Sequence, residues 1–282
     1  MELSTSDHDR ERAGLTYVYP VVSRRARGVS VGINLNTNNA CNWRCVYCQV
    51  PGLVRGKAPA VDLDLLAREL DGFLAEVTGA GWMEAHVPEG MRQLHDVAFS
   101  GNGEPTSSPQ FPAAVDLVVD VLERHGLDGD VQLLLITNGS LAHLEPVQSG
   151  LRRMARARGE VWFKLDGASD AVLLRVNDCH TGIDRQRRNL ATTARLCPTW
   201  VQTLVLDFDG PTLDEGARQA YCELLRSVLD EGAPLEGVLL YGLARPSHQP
   251  EAPRLAALPR EWMEAFAAQV RASTGLPVEV SA

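Results

Sequence analysis

Three cysteines, Cys41, Cys45 and Cys48, lie within a stretch of eight residues. Thiolates hold metal ions and iron–sulfur clusters, and a set of three leaves the metal or cluster one protein ligand short of four. The missing ligand indicates an open position where a small molecule can bind. Two other interpretations fit the same spacing: a structural zinc ion completed by a histidine or a fourth cysteine, and a redox-active Cys45–Cys48 pair.

The position of the cysteine loop favours a cluster. The loop directly follows an apolar segment that is predicted to be the first strand of a parallel βα array. In such folds the carboxyl ends of the strands form the active face. Structural zinc modules commonly use two Cys-x-x-Cys pairs, and the other three cysteines do not repeat this spacing. We therefore expect an iron–sulfur cluster, with zinc as the alternative.

The rest of the chain alternates short apolar runs with longer amphipathic stretches. Strands are predicted at residues 29–35, 96–100, 131–137, 161–165, 200–206 and 235–243. Helices are predicted at residues 62–77, 111–125, 144–158, 184–196, 213–230 and 260–273. Six alternating units predict right-handed crossovers and a parallel sheet, whereas a closed TIM barrel needs eight. The predicted α/β fold is an open, TIM-like partial (βα)6 barrel, with a doubly wound sheet as the alternative.

The predicted domain organisation is simple. Residues 1–16 form a polar N-terminal tail, and residues 17–282 form a single domain. Residues 79–90 contain glycine, proline and tryptophan and interrupt the helical pattern. We interpret this stretch as an insertion or a lid-like loop before the second predicted strand.

Composition excludes several classes of protein. Hydrophobic residues make up 45% of the 282 residues, as in globular domains, and the formal net charge of −9 argues against generic DNA binding. No apolar run reaches the roughly 18 residues of a membrane span, and no signal peptide is recognisable. Six cysteines without a framework spacing indicate a reducing compartment, so we expect a cytoplasmic protein.

The cysteine spacing, with aromatic Tyr47 just before the last cysteine, resembles the radical S-adenosylmethionine (radical SAM) superfamily. Within it, the chain is most similar to the wyosine-synthase-like (tRNA imidazoguanosine synthetase-like) group. Further matching segments are residues 20–25, 30–35, 99–106, 136–141 and 164–166. The resemblance covers roughly residues 17 to 180, and the last hundred residues carry no family signature.

The resemblance implies that Cys41, Cys45 and Cys48 bind three irons of a [4Fe–4S] cluster and that S-adenosyl-L-methionine (SAM) chelates the fourth. It implies reductive cleavage of SAM, after which the 5′-deoxyadenosyl radical abstracts a substrate hydrogen. A reduced flavodoxin or ferredoxin type electron donor is the implied protein partner. The substrate stays open between a small molecule, a peptide and a tRNA base. The alternatives are a glycyl-radical-type activase of a partner protein and a zinc-stabilised binding domain without catalysis.

Candidate cofactor contacts lie where predicted strands end. By resemblance, the Gly-Asn-Gly-Glu segment holds the methionine amino group, and Glu104 can add a charge-assisted hydrogen bond. Asn138 can bond a ribose or a carboxylate, and plain turns are the alternative for both segments. Lys164 and Asp166 alternate on a predicted strand, so both need a ligand or a partner inside the barrel. The predicted cofactor contacts are Tyr47, Ser100, Gly101, Asn102, Gly103, Glu104, Asn138, Lys164, Asp166 and Gln202.

Two further residues are candidates for catalysis or substrate binding. Cys179 can supply a hydrogen atom or a ligand, and a buried structural thiol is the alternative. Arg245 follows the sixth predicted strand and can bind an anionic group of a substrate. Arg24 and Arg25, before the first predicted strand, can do the same, although an ordinary solvated turn explains them equally well.

Overall fold

The computed structural model describes residues 3, 13–23 and 28–282, in which one eight-stranded sheet forms the frame. Its strands are β1 (Val18–Ser23), β2 (Gly28–Ile33), β3 (Leu94–Phe99), β4 (Gln132–Thr137), β5 (Glu160–Lys164), β6 (Thr199–Leu204), β7 (Gly237–Tyr241) and β8 (Val278–Ser281). The spatial order follows the chain order. Strand β1 is antiparallel to β2, and all other neighbours are parallel.

This topology confirms the α/β partial barrel. A doubly wound sheet would reverse its strand order at a switch point, and the described strands show no such reversal. The predicted tail, residues 1–16, and the candidates Arg24 and Arg25 fall wholly or mostly outside the described residues. None of the described helices is long and apolar enough to cross a bilayer.

Helices cover the outer face of the sheet, except α5 (Asp170–Asn177), which packs against the cysteine loop. They are α1 (Leu63–Thr78), α2 (Trp82–His86), α3 (Phe111–Arg124), α4 (Glu145–Arg156), α5 (Asp170–Asn177), α6 (Ile183–Leu196), α7 (Glu215–Asp230) and α8 (Arg260–Thr274). Asp62 begins α1 by accepting a hydrogen bond from the Leu65 N–H (2.9 Å), which satisfies a free helix-terminal donor. The crossover helices α1, α3, α4, α6, α7 and α8 pack in sequence against one another.

The alternation of side chains along β5 divides the core from the barrel interior. Val161 and Phe163 are fully buried against the helices. The intervening residues, Trp162 and Lys164, are half-buried and face the opposite side. Strand register places Lys164 beside Gln202 of β6. The pleat therefore directs predicted cofactor contacts into the interior of the barrel.

The lid-like interpretation of residues 79–90 is wrong. The segment contains α2, whose Trp82 packs edge-to-face on Phe73 of α1 with ring centroids 5.5 Å apart. It connects the end of α1 to the start of β3, and such connections lie at the amino ends of parallel strands. It therefore lies opposite the end of the barrel where the cysteine loop is found.

Candidate functional site

The cysteine loop leaves the carboxyl end of β2 and returns to α1. Cys41, Cys45 and Cys48 are all partly buried. A short parallel strand pair, Ala40–Cys41 with Val54–Arg55, joins the two ends of the loop, and a Cys48 N–H to Cys45 carbonyl bond of 2.9 Å forms a turn between the second and third cysteines. Backbone hydrogen bonds therefore close the loop at its base and between its last two cysteines.

Helix α5, which the sequence did not predict, supports the middle of the loop. The Arg44 N–H donates to the Asn177 carbonyl (3.0 Å), and the Val46 N–H donates to the Val176 carbonyl (2.9 Å). The side chain of Asn177 donates to Cys45 Sγ at 3.2 Å. The residues on both sides of Cys45 are therefore bonded to the backbone of α5, and Asn177 also bonds to the Cys45 sulfur.

Residues 247–251, after β7, hold the loop from a third direction. The Ser247 hydroxyl donates to the Val46 carbonyl (2.7 Å). The Cys48 carbonyl accepts from the His248 N–H (2.9 Å), the Gln249 side chain (3.3 Å) and the Ser247 hydroxyl (3.2 Å). This 247–251 segment carries no recognisable family signature, yet it supplies most of the contacts to the last cysteine.

Two arginines add ion pairs around the loop. Arg44 donates to both carboxylate oxygens of Glu251, at 2.9 and 2.8 Å, and its Nε lies 3.4 Å from Asp178. Arg55 pairs with Asp178 at 2.6 Å. The hydrogen bond from Arg55 lowers the pKa of Asp178, and that from Arg44 lowers the pKa of Glu251. Both carboxylates are therefore ionised in the folded protein.

Two glycines let the end of β3 lie against the cysteine loop. Gly101 has a φ of +129°, and a Cβ atom there would lie 2.5 Å from Asn34 Oδ1. A Cβ atom at Gly103 would overlap the Ala40 carbonyl and lie 2.6 Å from Asn36 Nδ2. Any other residue would push the two segments apart, because real Cβ atoms essentially never come within 3.0 Å of such atoms.

Glu104 is buried and bonded to the protein. Its carboxylate accepts from the Thr106 N–H (3.1 Å) and hydroxyl (2.6 Å), the Thr137 hydroxyl (2.6 Å) and the Asn138 N–H (2.7 Å). Burial raises the pKa of Glu104, against the effect of these bonds. Glu104 therefore joins the ends of β3 and β4, and a contact between Glu104 and a ligand stays a prediction.

Asn138 links β4 to the cysteine loop. Its Nδ2 donates to Asn42 Oδ1 (2.8 Å), and its Oδ1 accepts from the Ser140 hydroxyl (2.7 Å). Asn42 Nδ2 donates to the same hydroxyl at 2.7 Å, which closes the ring of bonds. Gly139 has a φ of +67°, and a Cβ atom there would overlap the ring of Phe163. At Asn138–Gly139 the chain therefore changes direction, as the alternative interpretation expected. Asn138 also anchors the cysteine loop through its bond to Asn42.

Asp166 has protein partners throughout. It is fully buried and accepts from the Tyr47 hydroxyl, from Asn177 Nδ2 (2.7 Å) and from the Leu204 N–H (2.9 Å). Burial, followed by the charge of Asp166, raises the pKa of Tyr47 well above its usual value. The phenol is therefore neutral, and Asp166 orients the aromatic ring that precedes Cys48.

Lys164 places a positive charge in the barrel interior. Its Nζ donates to the Tyr241 hydroxyl (2.9 Å) and lies 5.1 Å from the ring centroid of Tyr47 and 5.6 Å from that of Tyr241. Burial by itself would lower the pKa of Lys164, but Tyr241 and Asp166 outweigh burial and raise it. The side chain is therefore an ammonium ion, and the bond to Tyr241 uses one of its three N–H donors.

The remaining candidates are placed near the same end of the barrel. Ser100, at the end of β3, shares a 2.7 Å hydrogen bond with the Tyr19 hydroxyl. Cys179 is buried with Trp43, and Cys41 and Cys45 pack against this group. Its Sγ lies 3.1 Å from the Thr181 hydroxyl. Arg245 is partly buried and leads into the 247–251 segment.

Several residues at the site were not singled out from the sequence. They are Arg44, Asn42, Ser140, Asn177, Tyr241, Ser247, Gln249 and Glu251. The run of asparagines before Cys41 is a usable signal, because buried amides bridge backbone segments. No local signal marks Asn177 or residues 247–251, because their contacts with the loop span 130 or more positions of sequence.

The thiols and their surroundings fit a cluster. Burial raises the pKa of Cys41 and of Cys45 to about 12, so metal binding must release their protons. Within the described ranges, no three His, Cys, Asp or Glu side chains are grouped closely enough for one ion. A four-iron cluster binds each thiolate at a separate iron, so the three sulfurs need not meet at one ion. Trp43 Nε1, on the loop itself, is buried without a hydrogen-bond partner among the described residues, as a polar atom facing a bound group would be.

Sequence comparisons give little evidence of relationship. No model of a protein family matches the chain. The chain is 26% identical over 132 residues to a GTPase Obg of Brachyspira hyodysenteriae, and this match spans 47% of the chain and 17% of that protein. The chain therefore corresponds to less than a fifth of that curated relative's length.

Solved structures share the fold. TYW1, a wyosine synthase solved with a lysine-pyruvate adduct bound, matches with a TM-score of 0.56 and 14% identity over 96% of this chain and 80% of that one. SuiB of Streptococcus suis, bound to its precursor peptide SuiA, matches with a TM-score of 0.57 and 10% identity over 89% of this chain and 47% of that one. HydG, a maturase of the [FeFe]-hydrogenase, matches with a TM-score of 0.54 and 10% identity over 88% and 50%.

These neighbours are radical SAM enzymes, so the predicted resemblance to that superfamily is confirmed in the fold. At identities of 10% to 14% the likeness concerns the fold alone. Activity, substrate and partners therefore depend on the residues of the site.

Proposed function

We propose that this protein is a radical SAM enzyme in which Cys41, Cys45 and Cys48 hold a [4Fe–4S] cluster and SAM completes it. One observation carries the proposal. The three-cysteine loop lies at the carboxyl ends of the strands of a partial barrel and packs directly on the Gly101–Gly103 backbone. In such folds this end of the barrel is the active face.

When bound, the cluster and SAM supply electron transfer to the sulfonium and the 5′-deoxyadenosyl radical that takes a substrate hydrogen. The chain positions these groups and excludes water. We propose that the backbone of residues 100–103 binds the amino group of SAM. Lys164, as an ammonium ion, binds a carboxylate of the cofactor or the substrate. We place Tyr47 against the same ligand. Asp166, Glu104 and Asn138 hold the surrounding strand ends and the cysteine loop in position. Gln202, in register with Lys164, extends this polar row.

The proposed substrate is a small molecule with an anionic group, or a peptide. SuiB is bound to its precursor peptide, and TYW1 contains a lysine-pyruvate adduct. This chain has two lysines, of which Lys57 is exposed and Lys164 lies in the barrel interior. A lysine that forms an imine needs a neutral amine, and the raised pKa of Lys164 favours anion binding instead. The net charge of −9 makes a tRNA substrate less favoured.

A reduced flavodoxin or ferredoxin type protein in a reducing cytoplasm is the proposed electron donor. Cys179 and Arg245 stay candidates for hydrogen donation and substrate binding. The short GTPase match supports no second function. Residues 1–282 contain no Gly-x-x-x-x-Gly-Lys-Ser/Thr segment, which GTPases of that type use to hold phosphates.

The proposal is tested by anaerobic reconstitution of the full chain with iron and sulfide. We expect brown protein with about four irons per chain. Dithionite and SAM should then yield 5′-deoxyadenosine. Cys45→Ala should abolish this product, whereas Cys222→Ala, which removes a buried thiol on α7 away from the loop, should retain it. A colourless wild-type protein that binds one zinc ion would support the zinc-stabilised domain and overturn the proposal.

A further inference from the structure

We propose that Asn177 sets the reduction potential of the cluster through its hydrogen bond to the sulfur of Cys45. The inference rests on the proposed function, because it takes Cys45 as a cluster ligand. Asn177 is the last residue of α5 and is fully buried. It acts through Cys45 and is therefore a positioning residue, not a catalytic one.

Three acceptors share the Asn177 amide. Its Nδ2 lies 2.7 Å from Asp166 Oδ2, 3.2 Å from Cys45 Sγ and 3.4 Å from the Tyr47 hydroxyl oxygen. The bond to the carboxylate is charge-assisted and takes one N–H. The second N–H is left for the Cys45 sulfur and the more distant phenol.

The orientation of the amide is determined by chemistry. A flipped amide would place Oδ1 against the Asp166 carboxylate, so that two acceptors would face each other. In the observed orientation Oδ1 is buried without a partner among the described residues. The fold thus leaves one oxygen unsatisfied and directs the amide nitrogen toward Asp166 and Cys45.

The distance between the amide and the sulfur is fixed by the backbone. The peptide groups on either side of Cys45 bond to α5, through Arg44 N–H to the Asn177 carbonyl (3.0 Å) and Val46 N–H to the Val176 carbonyl (2.9 Å). Asp166 is held in turn by the Leu204 N–H at 2.9 Å. Neither partner of the N–H···S bond can move away without breaking these bonds.

An N–H donor to a ligating sulfur stabilises negative charge on the cluster. A reduced cluster carries one more negative charge than an oxidised one, so this bond favours reduction and raises the potential. Removal of the donor should make the cluster harder to reduce. The effect belongs to the cluster itself and is measurable in the absence of substrate.

The test is an EPR-monitored redox titration of the reconstituted full chain and two variants. Asn177→Leu removes the donor. Asn189→Leu is the matched control, because Asn189 is also buried and donates to the carbonyls of Gly139 (2.9 Å) and Ser140 (3.0 Å). At the midpoint potential of the wild type, the ratio of reduced to oxidised cluster should be about tenfold lower in Asn177→Leu. This corresponds to a midpoint potential about 59 mV more negative for a one-electron couple. Asn189→Leu should match the wild type.

Each outcome is decisive. Equal potentials in the wild type and Asn177→Leu, or an equal shift in Asn189→Leu, overturn the inference and leave the proposed function intact. If Asn177→Leu does not hold a cluster, Asn177→Ala, which removes both N–H groups without adding bulk or charge, should show the shift. Failure of both variants to hold a cluster also overturns it, since a tuning bond is not needed for assembly. A wild-type chain without a cluster refutes the proposed function itself.

Discussion

A methyl group added at Gly103 would have to displace the backbone of the cysteine loop. The new Cβ atom would overlap the Ala40 carbonyl and lie 2.6 Å from Asn36 Nδ2 and 2.8 Å from Asn36 Cγ. Asn36 Nδ2 also donates to the Ala40 carbonyl at 2.8 Å, so the overlap falls on an existing hydrogen bond. Overpacking of this kind costs about 1–3 kcal/mol, and loss of the bond adds about 0.5–1.5 kcal/mol. Gly103→Ala should lower the free energy of unfolding by about 1.5–4.5 kcal/mol.

The displaced atoms directly precede Cys41, so iron loading should fall with stability. Urea unfolding of the metal-free chain measures the first effect, and iron per chain after anaerobic reconstitution measures the second. Gly72→Ala is the matched control, because a Cβ atom at this exposed position of α1 meets nothing within 4 Å. It should stabilise the protein by about 0.5–1 kcal/mol, since alanine is the better helix former. It should also load iron as the wild type does.

The two measurements separate steric strain from general damage. If Gly103→Ala unfolds at the wild-type urea concentration and binds the full complement of iron, the close approach of the two segments is not needed. The description of the site would then be wrong. If stability falls and iron loading does not, the loop tolerates the shift, and Gly103 matters for folding alone.

Two further predictions concern other parts of the barrel. Gln249→Leu removes side-chain bonds of 3.3 Å to the Cys48 and Val50 carbonyls and should speed iron release to a chelator severalfold, because each lost bond costs about 0.5–1.5 kcal/mol. Gln219→Leu, at an exposed position of α7, should leave that rate unchanged, and equal rates in both variants would refute this role of residues 247–251. Burial, followed by Glu236 and Glu279, raises the pKa of Glu160 above its usual 4.5. The folded state therefore binds the Glu160 proton more tightly than the unfolded chain does. The resulting contribution to the free energy of unfolding is fully present below pH 4.5, the pKa in the unfolded chain. It is lost as the pH rises through the higher pKa of the folded state. Glu160→Gln should raise the Tm at pH 8 and leave it unchanged at pH 4, and an unchanged Tm at pH 8 in circular dichroism would contradict this.

The sequence predicted the repeated part of the fold well. The predicted helix at 111–125 is α3 (Phe111–Arg124), and the predicted strand at 131–137 is β4 (Gln132–Thr137). These elements bury one face or both, and burial imposes the periodicity that is read from sequence. The strands β1 and β8 were not predicted, because Pro20 lies within the apolar run of β1 and β8 is a short alternating Val-Glu-Val-Ser segment. The short helix α5 is too brief for a clear period.

The sequence predicted where the candidate ligands lie and predicted less well which residues support them. The three cysteines, the glycines of residues 101–103 and Lys164 lie where strand ends were expected. Glu104 and Asp166 are also bonded to protein donors, which the sequence did not predict, and their contact with a ligand stays a prediction. A buried charge needs such partners, and the partners come from other strands.

The sequence by itself determined the donor set and its placement. Three cysteines on one loop after the first parallel strand predict a metal or cluster site at the carboxyl end of the barrel, because strand order and loop length are local properties. The tertiary structure decided which groups hold that loop. Asn177 and Gln249 reach Cys45 and Cys48 across long stretches of chain, and only folding shows which polar groups meet. Hydrogen bonds depend on distance in space, whereas a motif records distance along the chain.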